Sequence, residues 1–122
     1  MHRAILNAYL QTAPHNPLSD EALDVYSRPW LGPIGQPAFY RQIAQMDQKY
    51  TDVLQDKYRA MDCPVKVLWG ENDNWIPYET GETLASLISD RPCVPIRNAG
   101  HLVQEDRPEA IVAAVLKQLA DA

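Results

Sequence analysis

Apolar residues recur every three or four positions in several stretches of the chain, and this spacing predicts amphipathic helices. The first stretch covers residues 1–13, and two prolines within residues 14–17 end it. A second helix is predicted over residues 20–27, with Ser19 as its N-cap. The N-terminal part of the chain is therefore expected to be helical.

The strongest helical pattern begins at Pro37, because proline suits the first turn of a helix. Its apolar positions share one face, which we expect to lie in the core: Phe39, Ile43, Met46, Tyr50, Val53 and Leu54. Thr51 can cap a new helix, so the pattern leaves open one long helix or two. Residues 28–36 hold prolines and glycines that predict a loop, which divides the chain into residues 1–35 and residues 36–122.

The hydrophobic period changes in the second half of the chain, where two short β-type runs appear. Residues 65–69 and 93–97 predict strands, and Pro95 favours a sheet edge for the second because proline donates no ladder hydrogen bond. Helices are predicted over residues 79–89 and after Asp106, the candidate cap of the last helix. The apolar face of that last helix consists of Ile111, Val112, Val115, Leu116 and Leu119. Strand, helix, strand and helix in this order predict an α/β unit with two parallel neighbouring strands and a right-handed crossover.

Each predicted strand leads into a loop that carries a residue with acid–base chemistry. Asp73 follows the first strand and His101 the second, and parallel neighbouring strands bring such loops to the same edge of the sheet. A carboxylate beside an imidazole fixes its tautomer and stabilises its charged form. Taken alone, Asp73 better fits an Asx turn or a cap, and His101 a surface position. The convergence of the two loops favours a catalytic acid and a general base.

Apolar residues near this pair are candidates for a substrate pocket. Trp75 and Leu102 lie on the two loops and are predicted to line it, whereas Trp69 is expected to pack on its strand. The neighbouring acidic residues are expected to face solvent: Glu71, Glu105 and Asp106.

Composition restricts the partners and cofactors. With 122 residues and 46% hydrophobic content the chain fits one domain with a packed core. A net charge of −5 argues against nucleic acid as a partner. No apolar run approaches the roughly 18 residues of a membrane span, so we expect no membrane partner and a cytoplasmic location.

Metal and disulfide chemistry have little support in the sequence. His2 and His15 show no metal-ligand spacing with His101, and we expect no metal and no cofactor. Cys63 and Cys93 are predicted to be small buried hydrophobic residues near the strand starts, with a disulfide between them as the alternative.

Residues 63–119 resemble the C-terminal part of an α/β-hydrolase. The resemblance rests on the Gly70-Glu71-Asn72-Asp73 loop and the Gly100-His101 pair, followed by Asp106-Arg107-Pro108-Glu109. It implies a partial α/β-hydrolase fold, with a helical N-terminal part followed by two parallel strands that alternate with helices. It also implies that Asp73 is the triad acid and His101 the base. By the same resemblance residues 1–35 are the tail of a helical cap and residues 36–122 the C-terminal part of the core.

The family places its nucleophile in a G-x-S-x-G elbow, or an Asp or Cys variant, that has no match in this sequence. We therefore expect the chain to provide the acid and base for hydrolysis of an ester or related bond, and to be inactive alone. Its partner would be a small-molecule substrate once the N-terminal half completes the fold. The alternative is a non-catalytic association module, because the first strand would present an exposed edge and the face of residues 39–54 would be under-covered. We expect a homo-oligomer formed through that edge.

Overall fold

The N-terminal part is helical in the computed structural model, which describes residues 2–121. Helix α1 spans His2–Leu10 and helix α2 spans Asp20–Ser27. The hydroxyl oxygen of Ser19 accepts a hydrogen bond from the Ala22 N–H and caps α2. Both helices and the cap confirm the prediction. The terminal residues of the predicted ranges, Met1 and Ala122, lie outside the described residues.

Residues 28–36 are helical, so the prediction of a loop there was wrong. A 3₁₀ helix spans Arg28–Trp30, and helix α3 follows over Gly32–Ala44. Pro37 therefore lies inside α3, and Pro33 takes the early position that the sequence had suggested for Pro37. The prolines and glycines of this stretch begin helices instead of interrupting them.

Gly35 explains how α3 approaches the preceding 3₁₀ helix so closely. The residue is buried, and a Cβ atom at this position would lie only 2.4 Å from the backbone oxygen of Pro29. This glycine is thus required for close packing between two helices and not for a turn.

The division into residues 1–35 and 36–122 stays a prediction.

Of the two alternatives left open beyond Pro37, one long helix or two, the chain is divided, but the break follows Ala44 and Thr51 lies inside the next helix instead of capping it. After the end of α3 the chain forms the short helix α4 (Lys49–Asp52) and a second 3₁₀ helix (Gln55–Ala60). The apolar face expected in the core is largely exposed, with Met46 77% exposed and Val53 68% exposed. Because most of a helix's stability comes from burial of its apolar face, a face without cover does not sustain a long helix.

Two parallel strands form the sheet of the described residues. Strand β1 (Leu68–Gly70) pairs with strand β2 (Val94–Ile96), and Leu68 lies opposite Val94. Helix α5 (Tyr78–Ile88) connects them and buries Ala85 against Val67 and Cys93. The strands are shorter than predicted, but their order, their direction and the connecting helix confirm the predicted unit.

The chain ends in helix α6 (Val103–Asp106) and helix α7 (Pro108–Ala120). The N-cap residue of α7 is Arg107, with no side-chain hydrogen bond, so the prediction that Asp106 caps this helix was wrong. Most of the apolar face predicted for α7 is exposed instead of buried: Val112, Val115, Leu116 and Leu119. The outer side of the last helix thus has no covering layer among residues 2–121.

The two thiols have different surroundings. Cys93 is buried as predicted, whereas Cys63, which precedes β1, is exposed, so the prediction of a buried residue was wrong for Cys63. Both are free, so the alternative of a disulfide does not hold in this structure. Among the described helices, none combines the length and the apolar character that crossing a bilayer demands.

Candidate functional site

The loops that follow β1 and β2 are joined directly to one another. The Glu71 N–H donates to the Ile96 carbonyl at 3.0 Å, and the Asn72 N–H donates to the Ala99 carbonyl at 2.9 Å. A Cβ atom on Gly70 would lie 2.3 Å from the carbonyl oxygen of Gly100, so only glycine permits this approach. The close contact fixes the relative position of the two loops that carry Asp73 and His101.

The Asp73 carboxylate has two functions, one for each oxygen. Its Oδ1 atom accepts hydrogen bonds from the backbone N–H groups of Trp75 at 2.8 Å and Ile76 at 2.9 Å. Its Oδ2 atom lies 3.0 Å from Nδ1 of His101, and the Asp73 side chain is only 4% exposed. The Asx turn and the contact with histidine, which the sequence presented as alternatives, therefore occur together.

The His101 ring is held between this carboxylate and an aromatic stack. Trp75 lies against it with ring centroids 4.7 Å apart, and Tyr9 lies 4.5 Å from Trp75. The Trp75 indole Nε1–H donates to the Thr12 hydroxyl at 2.9 Å, which anchors the stack to the segment after α1. The His101 side chain remains 30% exposed, so the imidazole is positioned but accessible.

Asp106 contributes to the site in a way that the sequence analysis missed. Its carboxylate accepts hydrogen bonds from the backbone N–H groups of Gly100, His15 and Asn16, and from the Asn16 side chain. The backbone N–H of His101 also donates a hydrogen bond to the Ala13 carbonyl at 2.7 Å. These bonds tie the histidine loop to residues 13–16.

The same contacts account for the acidity of Asp106. Burial by itself raises the pKa of this carboxyl, but the hydrogen bonds from Gly100, Asn16 and His15 outweigh it and hold the pKa below the usual 3.8. A carboxylate shortly after Gly100-His101 was visible in the sequence. Its partners in residues 13–16 were not, because they lie about 90 residues earlier.

An apolar cavity of about 310 Å³ opens beside His101. The two residues predicted to line a pocket, Trp75 and Leu102, both border it. Further lining side chains come from the N-terminal helices and include Leu6, Leu10, Trp30 and Phe39. These last residues were not predicted to line a pocket, because an apolar helical residue gives no signal in the sequence of which cavity it lines.

The remaining residues considered from the sequence are exposed to solvent or have packing roles. Trp69 packs against Gly81 and donates its indole N–H to the Ile76 carbonyl at 3.1 Å, as expected of a packing residue. Glu71 and Glu105 are exposed, and Glu105 accepts a hydrogen bond from the Tyr26 hydroxyl at 2.6 Å. Within residues 2–121 no three His, Cys, Asp or Glu side chains cluster as metal ligands.

Comparison with known proteins gives a consistent family likeness. The crystal structure of an α/β-hydrolase fold protein from Burkholderia ambifaria superposes with a TM-score of 0.91 at 52% identity, over 95% of this chain and 43% of that one. The uncharacterized hydrolase YugF of Bacillus subtilis is 28% identical over 94 residues, which is 77% of this chain and 33% of YugF. Monoacylglycerol lipase abhd6-A of Xenopus laevis is 31% identical over 72 residues, which is 57% of this chain and 21% of the lipase. No family model matches the chain.

The chain thus spans less than half the length of each of these relatives. The relatives are hydrolases or have the hydrolase fold, and the two parallel strands alternating with helices match that fold. The chain therefore has part of the α/β-hydrolase fold, consistent with the C-terminal portion predicted from the sequence.

Proposed function

We propose that this chain provides the acid and the general base of a nucleophile–histidine–acid relay that hydrolyses an ester or a related bond. The observation that carries the proposal is the 3.0 Å contact between Asp73 Oδ2 and His101 Nδ1, with the carboxylate buried and the imidazole accessible. Because a carboxylate can only accept, Nδ1 is the nitrogen that carries the proton in the neutral ring, and Nε2 keeps the lone pair that a general base needs.

The proposed steps follow from that tautomer. His101 donates its Nδ1–H to Asp73, and its Nε2 takes the proton of a nucleophilic hydroxyl or of water as the new bond to the acyl carbon forms. The resulting imidazolium is stabilised by the Asp73 carboxylate. It then returns the proton to the departing alkoxide, so that the base is restored and no net charge accumulates.

The nucleophile is proposed to come from the part of the hydrolase fold that this chain does not contain. The serines of the chain have other roles: Ser19 caps α2, Ser27 is fully buried, and Ser86 and Ser89 bond to nearby backbone groups. We therefore propose that the chain is inactive alone and acts on a small-molecule substrate when the N-terminal half of the fold is supplied.

A complementation experiment tests this function. The chain is co-expressed with the part of the Burkholderia ambifaria relative that the superposition leaves uncovered, and the purified pair is assayed with an activated acyl ester. We expect turnover by the pair, little or none by the chain alone, and a loss of roughly 10³-fold or more in kcat for His101→Ala. His15→Ala is the matched control because that imidazole has no place in the relay.

Two results would contradict the proposal. Hydrolysis by the purified chain alone that His101→Ala abolishes would show that the nucleophile lies within these residues. Hydrolysis by the pair that survives His101→Ala would remove the general base from the mechanism.

The exposed apolar faces favour a second candidate function, that of an association module. The edge of β1 that faces away from β2 has no partner strand among residues 2–121, and the outer face of α7 is uncovered. We propose that the isolated chain forms a homodimer through the β1 edge. Sedimentation over a wide concentration range tests this, and a strictly monomeric chain contradicts it.

A further inference from the structure

The cavity beside His101 differs from the rest of the surface in its lack of charge. The described residues that line it include no Lys, Arg, Asp or Glu. Apart from His101, its polar side chains are two tyrosines and a glutamine: Tyr9, Tyr26 and Gln42. A ligand group in this cavity finds apolar and aromatic contacts and no cation to bind.

Two carboxylates contact side chains that line the cavity. Tyr26, which lines it, donates its hydroxyl to the Glu105 carboxylate at 2.6 Å. Glu105 raises the pKa of Tyr26 through this hydrogen bond, with burial as a further cause, so the phenol stays neutral. Asp73 lies behind the His101 ring at 3.0 Å. An anion placed in the cavity would lose its hydration, lie near two carboxylates and find no Lys or Arg among the described lining residues as a counter-charge.

The size of the cavity limits the group that fits. Its volume of about 310 Å³ corresponds to roughly ten water-sized units of about 30 Å³ each. A benzyl group or a medium-length acyl chain fits within this volume, because a cavity of about 150 Å³ is already large enough to bind benzene. The rings of Trp30, Phe39 and Trp75 offer flat apolar walls to such a group.

We propose that this cavity holds an uncharged apolar group of the substrate, aryl or medium-chain acyl, and excludes anionic groups. The inference rests on the proposed function in that it specifies which esters the Asp73–His101 relay would act on. It depends on the cavity alone for its recognition chemistry. Binding to the isolated chain therefore tests it without any turnover.

The probes are benzyl alcohol and benzoate, which have nearly the same size and differ in charge. Binding is followed by NMR through the indole N–H resonance of Trp75, which borders the cavity and is held by Thr12. We expect benzyl alcohol to shift this resonance in a saturable manner, with benzoate at least roughly tenfold weaker because of the nearby carboxylates.

Variants with opposite charges at position 42 make the test more specific. Gln42 lines the cavity but is exposed on α3, so its substitution does not disturb the core. Gln42→Lys should strengthen benzoate binding roughly tenfold relative to Gln42→Glu, while benzyl alcohol binds both variants alike. Gln36→Lys is the matched control, since Gln36 is exposed on the same helix and does not line the cavity.

The outcomes separate clearly. Benzoate binding as tight as that of benzyl alcohol, or no saturable shift with either probe, overturns the proposal. So does a benzoate affinity that is the same in Gln42→Lys and Gln42→Glu. Failure of the complemented pair to hydrolyse esters would instead refute the proposed relay, and it leaves these binding results unchanged.

Discussion

At the scale of single residues, substitutions of Asp73 distinguish its contribution to the Asx turn from its contribution to the proposed relay. In Asp73→Asn the amide oxygen still accepts from the Trp75 and Ile76 N–H groups, but the NH₂ group faces Nδ1 of His101. That ring must then carry its proton on Nε2, so the base loses its lone pair. We expect kcat of the complemented pair to fall by about 10⁴-fold. The nitrogen chemical shifts of the His101 ring should report the exchanged tautomer in the chain alone.

Asp73→Ala serves as the comparison, because it removes the turn as well. Two backbone N–H groups lose their acceptor, and we expect the free energy of unfolding in urea to fall by about 1–3 kcal/mol. Asp73→Asn should lose much less. Equal losses in the two variants would mean that Oδ1 contributes nothing to the loop.

Trp75 and Thr12 carry a second prediction at this scale. Their 2.9 Å hydrogen bond joins the Asp73 loop to the segment after α1 and holds the indole on the His101 ring. In a double-mutant cycle of Trp75→Phe and Thr12→Val, we expect a coupling free energy of about 1 kcal/mol in urea unfolding. Strictly additive effects of the two substitutions would show that the bond does not stabilise the fold.

At the scale of elements, Asp106 connects α6 and the histidine loop to the segment between α1 and α2. Its pKa is lower in the folded chain than the usual 3.8, so its contribution to stability is fully present above that value. The contribution is lost as the pH falls through the lower, folded-state pKa. On acid titration we expect the amide signals of Gly100, His15 and Asn16 to shift together at that lower pH.

The matched variants are Asp106→Asn, which should remove this acid transition, and Asp90→Asn, at an exposed aspartate between α5 and β2, which should leave it in place. If the three amide signals titrate in Asp106→Asn as they do in the unsubstituted chain, another carboxyl group is responsible.

The accuracy of the sequence predictions followed the range of the interactions involved. The Ser19 cap and the parallel β1–β2 pair were predicted because each depends on neighbouring residues or on a short crossover. The contact of Asp73 with His101 was anticipated for the same reason, although its catalytic role stays a prediction. Asp106 was misassigned because a helix cap and a long-range acceptor have the same local sequence.

The predictions for helical stretches were wrong where burial, and not helix propensity, decides whether the helix forms. The pattern of residues 39–54 predicted a single buried face, and the structure ends α3 at Ala44 and exposes Met46 and Val53. Apolar periodicity marks a face that requires cover, but it does not say which part of a protein supplies that cover.

At the scale of the whole molecule, α7 shows most clearly how much of the fold is uncovered. Its inner side is half-buried at Ile111, Ala114 and Gln118, while its outer side exposes apolar side chains, with Leu119 70% exposed. A helix whose apolar side chains extend well beyond its packed side is normally covered in a larger protein. The relatives are more than twice as long as the segment they share with this chain, and they provide a source for the missing cover.

This uncovered face yields a prediction about association that distinguishes the two proposed functions. If the chain forms a homodimer that also uses α7, Leu116→Lys should shift sedimentation toward monomer, whereas Ala113→Lys, on the side of α7 that carries Glu109 and Lys117, should not. Adding the complementary N-terminal part should dissociate the homodimer and form a one-to-one pair. A second copy of the chain and the complementary part would compete for the same apolar surface. If the homodimer persists when the complementary part is present in excess, the association module is favoured over the proposed hydrolytic relay. A chain that remains monomeric at every concentration would leave β1 and α7 without the self-pairing that their exposure predicts.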